Sequence, residues 1–116
     1  MGTIYRGGAV MAQEFVKVAD VTELAPGQMK MVAWGEDQVL LVNLDGGIYA
    51  CDNICTHAGA PLNEGSLEGE LVECPLHGSV FNVATGAVVG PPAEEGLRVF
   101  QVRIEGQDIL LGPPTS

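Results

Sequence analysis

Basic residues are scarce in this chain of 116. Five Lys and Arg stand against fifteen Asp and Glu, for a net charge of −10. A surface with that balance repels phosphate, so general binding to nucleic acid or to anionic membranes is excluded and partners with basic docking faces are favoured. Long apolar runs are missing too. The longest aliphatic stretch, Val39-Leu40-Leu41-Val42, is far short of the roughly 20 residues of a membrane-spanning helix. Charged residues make up 17% of the chain and apolar ones 47%, which excludes a disordered polyelectrolyte. Cysteine and histidine are few: Cys51, Cys55 and Cys74, then His57 and His77. An odd cysteine count argues against a disulfide framework. Residues 1–10 hold one Arg and no long apolar core, so no secretory signal is visible and a reducing cytoplasm is expected. A second methionine, Met11, precedes the first strand-like segment. Residues 1–12 are read as a disordered leader, either appended or an extended start, and residues 13–112 as one domain.

What is present is a β pattern. Sixteen glycines and seven prolines punctuate short segments rich in Val, Ile, Leu and Phe. Period-two alternation runs through 15–19, 29–32 and 99–104. Asp45-Gly46 between 38–44 and 47–51 is a hairpin signal, because Asp and Gly tolerate the positive φ such a turn needs. Thr85-Gly86 and Glu105-Gly106-Gln107 mark two more turns, flanked by 79–83 with 87–89 and by 102–104 with 108–111. One helical turn is expected at Thr22–Leu24, capped by Thr22 and stopped by Pro26. The strand pattern breaks between Cys51 and Ser79. Two Gly/Pro loops there, separated by the short strand Leu71–Glu73, each carry one Cys and one His.

The two motifs are Cys55-Thr56-His57 and Cys74-Pro75-Leu76-His77. A single Cys-x-His is more often a buried thiol near a satisfied imidazole than a metal site. Two such pairs in one short chain, using both of its histidines, point instead to a metal or cluster. A structural zinc is the competing reading. Zinc arms usually space their ligands two to four residues apart; Cys74 and His77 fit this, but Cys55 and His57 do not. Ligation by two Cys and two His on two irons accepts the tighter pair.

Cys55-Thr56-His57-Ala58-Gly59 and Cys74-Pro75-Leu76-His77-Gly78-Ser79 resemble the two signature loops of the Rieske [2Fe–2S] family, over roughly residues 15–111. The resemblance implies an all-β, Rieske-like antiparallel sandwich or barrel, with a small cluster-binding subdomain at one end and loops at about 52–82. It implies one [2Fe–2S] cluster per chain, with Cys55 and Cys74 on one iron and His57 and His77 on the more exposed one. It also implies that Leu62 shields the cluster and that Gly90-Pro91-Pro92-Ala93 is a proline loop covering its third side. Ala60 and Leu76 stand where the respiratory branch has a second cysteine in each loop, so no bridge can form between the loops. This places the chain with the soluble, oxygenase-associated branch. Ser79 occupies the place of a serine that donates to a bridging sulfide, and Phe81 the place of a tyrosine donor that Phe cannot replace. Cys51, at a strand end, reads as a buried inert thiol.

With two thiolates and neutral imidazoles, the oxidised site is neutral and the reduced one −1, one reason mixed ligation raises the potential above that of four-cysteine clusters. Without the bridge and the tyrosine donor, and with ten surplus negative charges, the potential is expected in the lower third of the family range. Both histidines are used by the cluster, so none is left for a mononuclear oxygen-activating iron, and no Gly-rich dinucleotide fingerprint follows a strand. The chain is therefore expected to be an electron relay and not an enzyme: a monomer by family habit, fed by a flavin-containing NAD(P)H reductase and emptied by a terminal aromatic-ring dioxygenase. The alternative is the small Rieske subunit of a nitrite reductase or similar assembly. A zinc-stabilised adaptor domain is the reading from another class.

Overall fold

The computed structural model describes residues 15–45 and 47–115, together with the short strands β1 (Tyr5–Arg6) and β2 (Ala9–Val10), which pair antiparallel. The expectation of a disordered leader at 1–12 falls largely outside the described residues. The main body is a six-stranded antiparallel sheet built from β3 (Val16–Asp20), β4 (Met29–Trp34), β5 (Asp37–Leu44), β6 (Gly47–Asp52), β11 (Val99–Glu105) and β12 (Asp108–Pro114), in the order β3-β12-β11-β6-β5-β4. It curls into a nearly closed barrel, as expected. A second antiparallel sheet, β10-β9-β8-β7, is made by β7 (Ser66–Glu68), β8 (Leu71–Glu73), β9 (Val80–Asn82) and β10 (Val88–Gly90).

β5 explains how the two sheets share one molecule. Val39, Leu40, Leu41 and Val42 are all fully buried. Val39 and Leu41 pack inside the barrel with Val32, Ala50, Phe100, Ile109 and Leu111. Leu40 and Val42 point the other way, onto Val72, Phe81 and Leu97 and the cysteines of the small subdomain. Successive side chains of a strand alternate faces, so a strand covered on both sides reads as an unbroken apolar run. Each such side chain contributes about 1.5–3 kcal/mol. Cys51 lies opposite Leu40 in register and shares its face.

Three local differences from the sequence reading have clear causes. The helical turn is a 3-10 turn at Val21–Glu23, and Asp20 caps it, accepting from the Thr22 N–H at 3.0 Å. Thr22 has a capping side chain, but the chain turns one residue earlier. β7 was not expected, because Ser66-Leu67-Glu68 carries one apolar residue and gains its order by pairing with β8. The Asp45 backbone adopts φ 56° at the β5–β6 turn, as its turn position requires; Gly46 lies outside the described residues.

Candidate metal centre

Three loops meet at one end of the barrel. Loop 1 leaves β6 and returns through the 3-10 turn Leu62–Glu64. Loop 2 joins β8 to β9, and a covering segment at 91–97 joins β10 to β11. Loops 1 and 2 are the same turn built twice. The Cys55 N–H donates to the Ala60 carbonyl at 2.9 Å, and the Gly59 N–H to the Cys55 carbonyl at 2.9 Å. In loop 2 the Cys74 N–H donates to the Ser79 carbonyl at 2.8 Å, and the Gly78 N–H to the Cys74 carbonyl at 3.2 Å. Gly59 and Gly78 have φ of 71° and 80°, a left-handed conformation that glycine adopts at little cost. That requirement is why each motif ends in a glycine four residues after its cysteine.

The stalks of loop 1 are tied by Asn53, which is fully buried. Its side-chain amide donates to Asn63 Oδ1 at 2.9 Å and to Gln38 Oε1 at 3.1 Å, while its Oδ1 accepts from the Asn63 N–H at 2.9 Å. Its carbonyl accepts from the Leu62 N–H at 2.6 Å. Sequence reasoning passed over Asn53; a polar residue just before the Cys55-Thr56-His57 motif was the available signal. Asp52 grips Arg98 through both carboxylate oxygens, at 2.8 Å to the nearer nitrogen, and so joins the root of loop 1 to the end of the covering segment. Gly65 is where the two loops press together: a Cβ there would collide with the Glu73 carbonyl, immediately before Cys74.

The four predicted side chains sort by depth. Cys55 and Cys74 are each 2% exposed, whereas His57 and His77 are exposed. The two imidazole rings lie edge to face with centroids 5.6 Å apart. Cys55 and Cys74 are themselves within hydrogen-bonding reach. Among the described residues, no three Cys, His, Asp or Glu side chains are placed to share a single ion. Burial pushes the Cys55 thiol up, but N–H groups of Ala58 and His57, with Cys74 and Ser79 beside the sulfur, outweigh it and hold this thiol below its ordinary range. Two buried sulfurs, one of them supplied with N–H donors, beneath two exposed imidazoles form a donor set that fits a mixed-ligand two-iron cluster better than one tetrahedral ion.

Around this set, Leu62 is fully buried and packs in the same core as Cys55, Cys74 and Ala93. Ser79 is fully buried, and its Oγ accepts from the Ala93 N–H at 3.0 Å. Phe81 is fully buried and offers no donor. Leu76 is 60% exposed at the tip, beside His77. Cys51 is fully buried under the loops, and burial, with Asp52 adding to it, pushes its thiol up to about 12. A neutral thiol is a poor ligand.

Residues 14–101 match the family model described as the Rieske [2Fe-2S] domain. This chain belongs to that Rieske family. The Rieske chain is 42% identical, over 98 residues, to the biphenyl dioxygenase ferredoxin subunit of Pseudomonas sp. (strain KKS102), a match covering 84% of this chain and 90% of that protein. Its fold is similar to the ferredoxin of carbazole 1,9a-dioxygenase from Nocardioides aromaticivorans IC177, with a TM-score of 0.82, 36% identity, and coverage of 85% of this chain and 97% of that one. It is also similar, with a TM-score of 0.84 and 32% identity, to a chain in a complex of reduced oxygenase and oxidized ferredoxin in carbazole 1,9a-dioxygenase, with coverage of 90% and 98%. A Rieske [2Fe–2S] cluster is accordingly the cofactor of the Rieske chain. No helix among its described residues is long and apolar enough to cross a membrane.

Proposed function

We infer that this Rieske chain is the ferredoxin component of a dioxygenase system, an electron carrier and not a catalytic subunit. Cys55 and Cys74 would hold the inner iron, and His57 and His77 the outer one. The bound cluster supplies one-electron chemistry at a potential raised by the two neutral ligands. The observation that carries this reading is the depth order of the donors: sulfurs sealed in the core, imidazoles at the surface of the same tip. Leu62, Ala93 and Phe81 exclude water from the sulfurs, and His57 and His77 offer a partner the shortest approach.

The charge distribution says what kind of partner fits. Residues 53–97 contain six Glu (64, 68, 70, 73, 94 and 95) and no Lys or Arg. The half of the molecule that bears the tip thus repels anionic surfaces and attracts basic ones. A flavin-containing NAD(P)H reductase as donor and a terminal oxygenase as acceptor, each with a basic docking face, complete the chain. We place this traffic in the cytoplasm, where the free thiol of Cys51 would stay reduced, with the protein acting as a monomer as is usual for such carriers.

The test is anaerobic purification followed by metal analysis, electron paramagnetic resonance after dithionite, and stopped-flow oxidation by a purified terminal oxygenase. Two irons per chain, a Rieske spectrum and a transfer rate that falls as salt rises are expected. An iron-free or single-zinc protein would overturn the reading.

A further inference from the structure

Thr56 sits between Cys55 and His57, and its hydroxyl reaches out of loop 1. It donates to the Glu95 carbonyl at 2.6 Å, across 39 residues of sequence. Ser79 makes the matching tie from loop 2, through its Oγ to the Ala93 N–H. The covering segment is thus held at its tip by one hydroxyl from each loop. At its neck the Leu97 N–H donates to the Gly86 carbonyl at 2.8 Å, a Cβ on Gly86 or Gly96 would collide with the carbonyl opposite, and the Asp52–Arg98 pair fastens the end of the segment to the root of loop 1.

Of the two ties at the tip, the Ser79 one is buried and the Thr56 one is exposed, so the Thr56 bond is the tip contact that water can contest. Ala60 and Leu76 provide no covalent link between the loops. Loop 1 also carries the His57 and Ala58 N–H groups that face the Cys55 sulfur. We propose that Thr56 is a positioning residue: its hydroxyl straps loop 1 to the covering segment, keeps those N–H groups aimed at Cys55 Sγ, and so governs both the lifetime and the potential of the bound cluster. This rests on the reading of Cys55 and His57 as ligands. N–H donors to a thiolate stabilise the extra negative charge of the reduced state. Without the strap they tilt away, reduction becomes less favourable, and the tip opens more often.

The test compares Thr56→Val, which keeps the shape and loses the donor, with Thr56→Ser, which keeps the donor. Thr115→Val is the control, because the Thr115 hydroxyl also bonds a backbone carbonyl, that of Val99 at 3.2 Å, but on the barrel. Each protein is loaded anaerobically; bleaching under an iron chelator and the one-electron midpoint are measured. Thr56→Val should bleach about fivefold faster, the equivalent of one hydrogen bond. Its reduction equilibrium should weaken about threefold, which is about 28 mV downward at 59 mV per tenfold. Thr56→Ser should stay within about twofold of the parent on both readouts, and Thr115→Val should match the parent. Failure of Thr56→Val to hold iron while Thr56→Ser holds it supports the strap. Three results overturn the strap: a loaded Thr56→Val unchanged in bleaching and midpoint, a Thr115→Val that shifts as far, or a Thr56→Ser that behaves like Thr56→Val. A wild-type protein without iron would instead overturn the ligand reading beneath it.

Discussion

Replacing Leu62 by Ala removes three carbons from a side chain with no exposed surface. At about 0.8 kcal/mol per methylene, the transfer loss is about 2.4 kcal/mol. The hole cannot close easily. The Leu62 N–H is pinned to the Asn53 carbonyl at 2.6 Å, and the next residue is pinned to Asn53 Oδ1. A residual cavity adds about 1 kcal/mol, for a total of about 3.5 kcal/mol, within the range of buried Leu→Ala changes. At about 4 °C per kcal/mol for a chain of this length, the midpoint of thermal unfolding should fall by about 14 °C. The same change at Leu76, which is 60% exposed, should cost less than about 0.5 kcal/mol, or about 2 °C. Both loaded variants are heated anaerobically while far-ultraviolet circular dichroism and visible absorbance are recorded. Equal losses in the two variants, or a Leu62→Ala midpoint within about 4 °C of the parent, would refute the reasoning from burial.

Cys51→Ala should leave the cluster spectrum intact. It should also remove one component of alkaline instability: the thiol is held up at about 12 from an ordinary 9.0, so folding favours its neutral form. That contribution is complete below about pH 9 and drains away as pH rises toward 12. Denaturation midpoints of parent and variant between these limits should converge; parallel curves would count against it. Gly65→Ala forces a Cβ into the Glu73 carbonyl and should cost about 1–3 kcal/mol while parting the two loops, read as reduced iron uptake beside a barrel that keeps its circular dichroism. Undiminished iron content would show that the loops yield without harm. A redox titration should place the midpoint in the lower third of the family range of about −150 to +300 mV, and a value above about +150 mV, high in that range, contradicts the argument from Phe81 and the missing bridge.

Much of this was legible in the residues themselves. Ligand chemistry is carried by residue type and short spacing, so Cys55, His57, Cys74 and His77 stood out before any fold was known. The turns at Asp45, Gly86 and Gly106 were legible because positive φ selects residue types locally. What tertiary structure alone decided lies in contacts between residues far apart in sequence. The resemblance already implied the exposed imidazoles, but the packing that seals the two sulfurs depends on β5 being covered on both faces, and no local pattern says which sheet covers a strand. The same holds for Thr56 with Glu95, Asp52 with Arg98 and Gly65 with Glu73. Each is an ordinary residue whose role comes from its neighbour, and long-range contacts leave no periodicity in the chain that makes them.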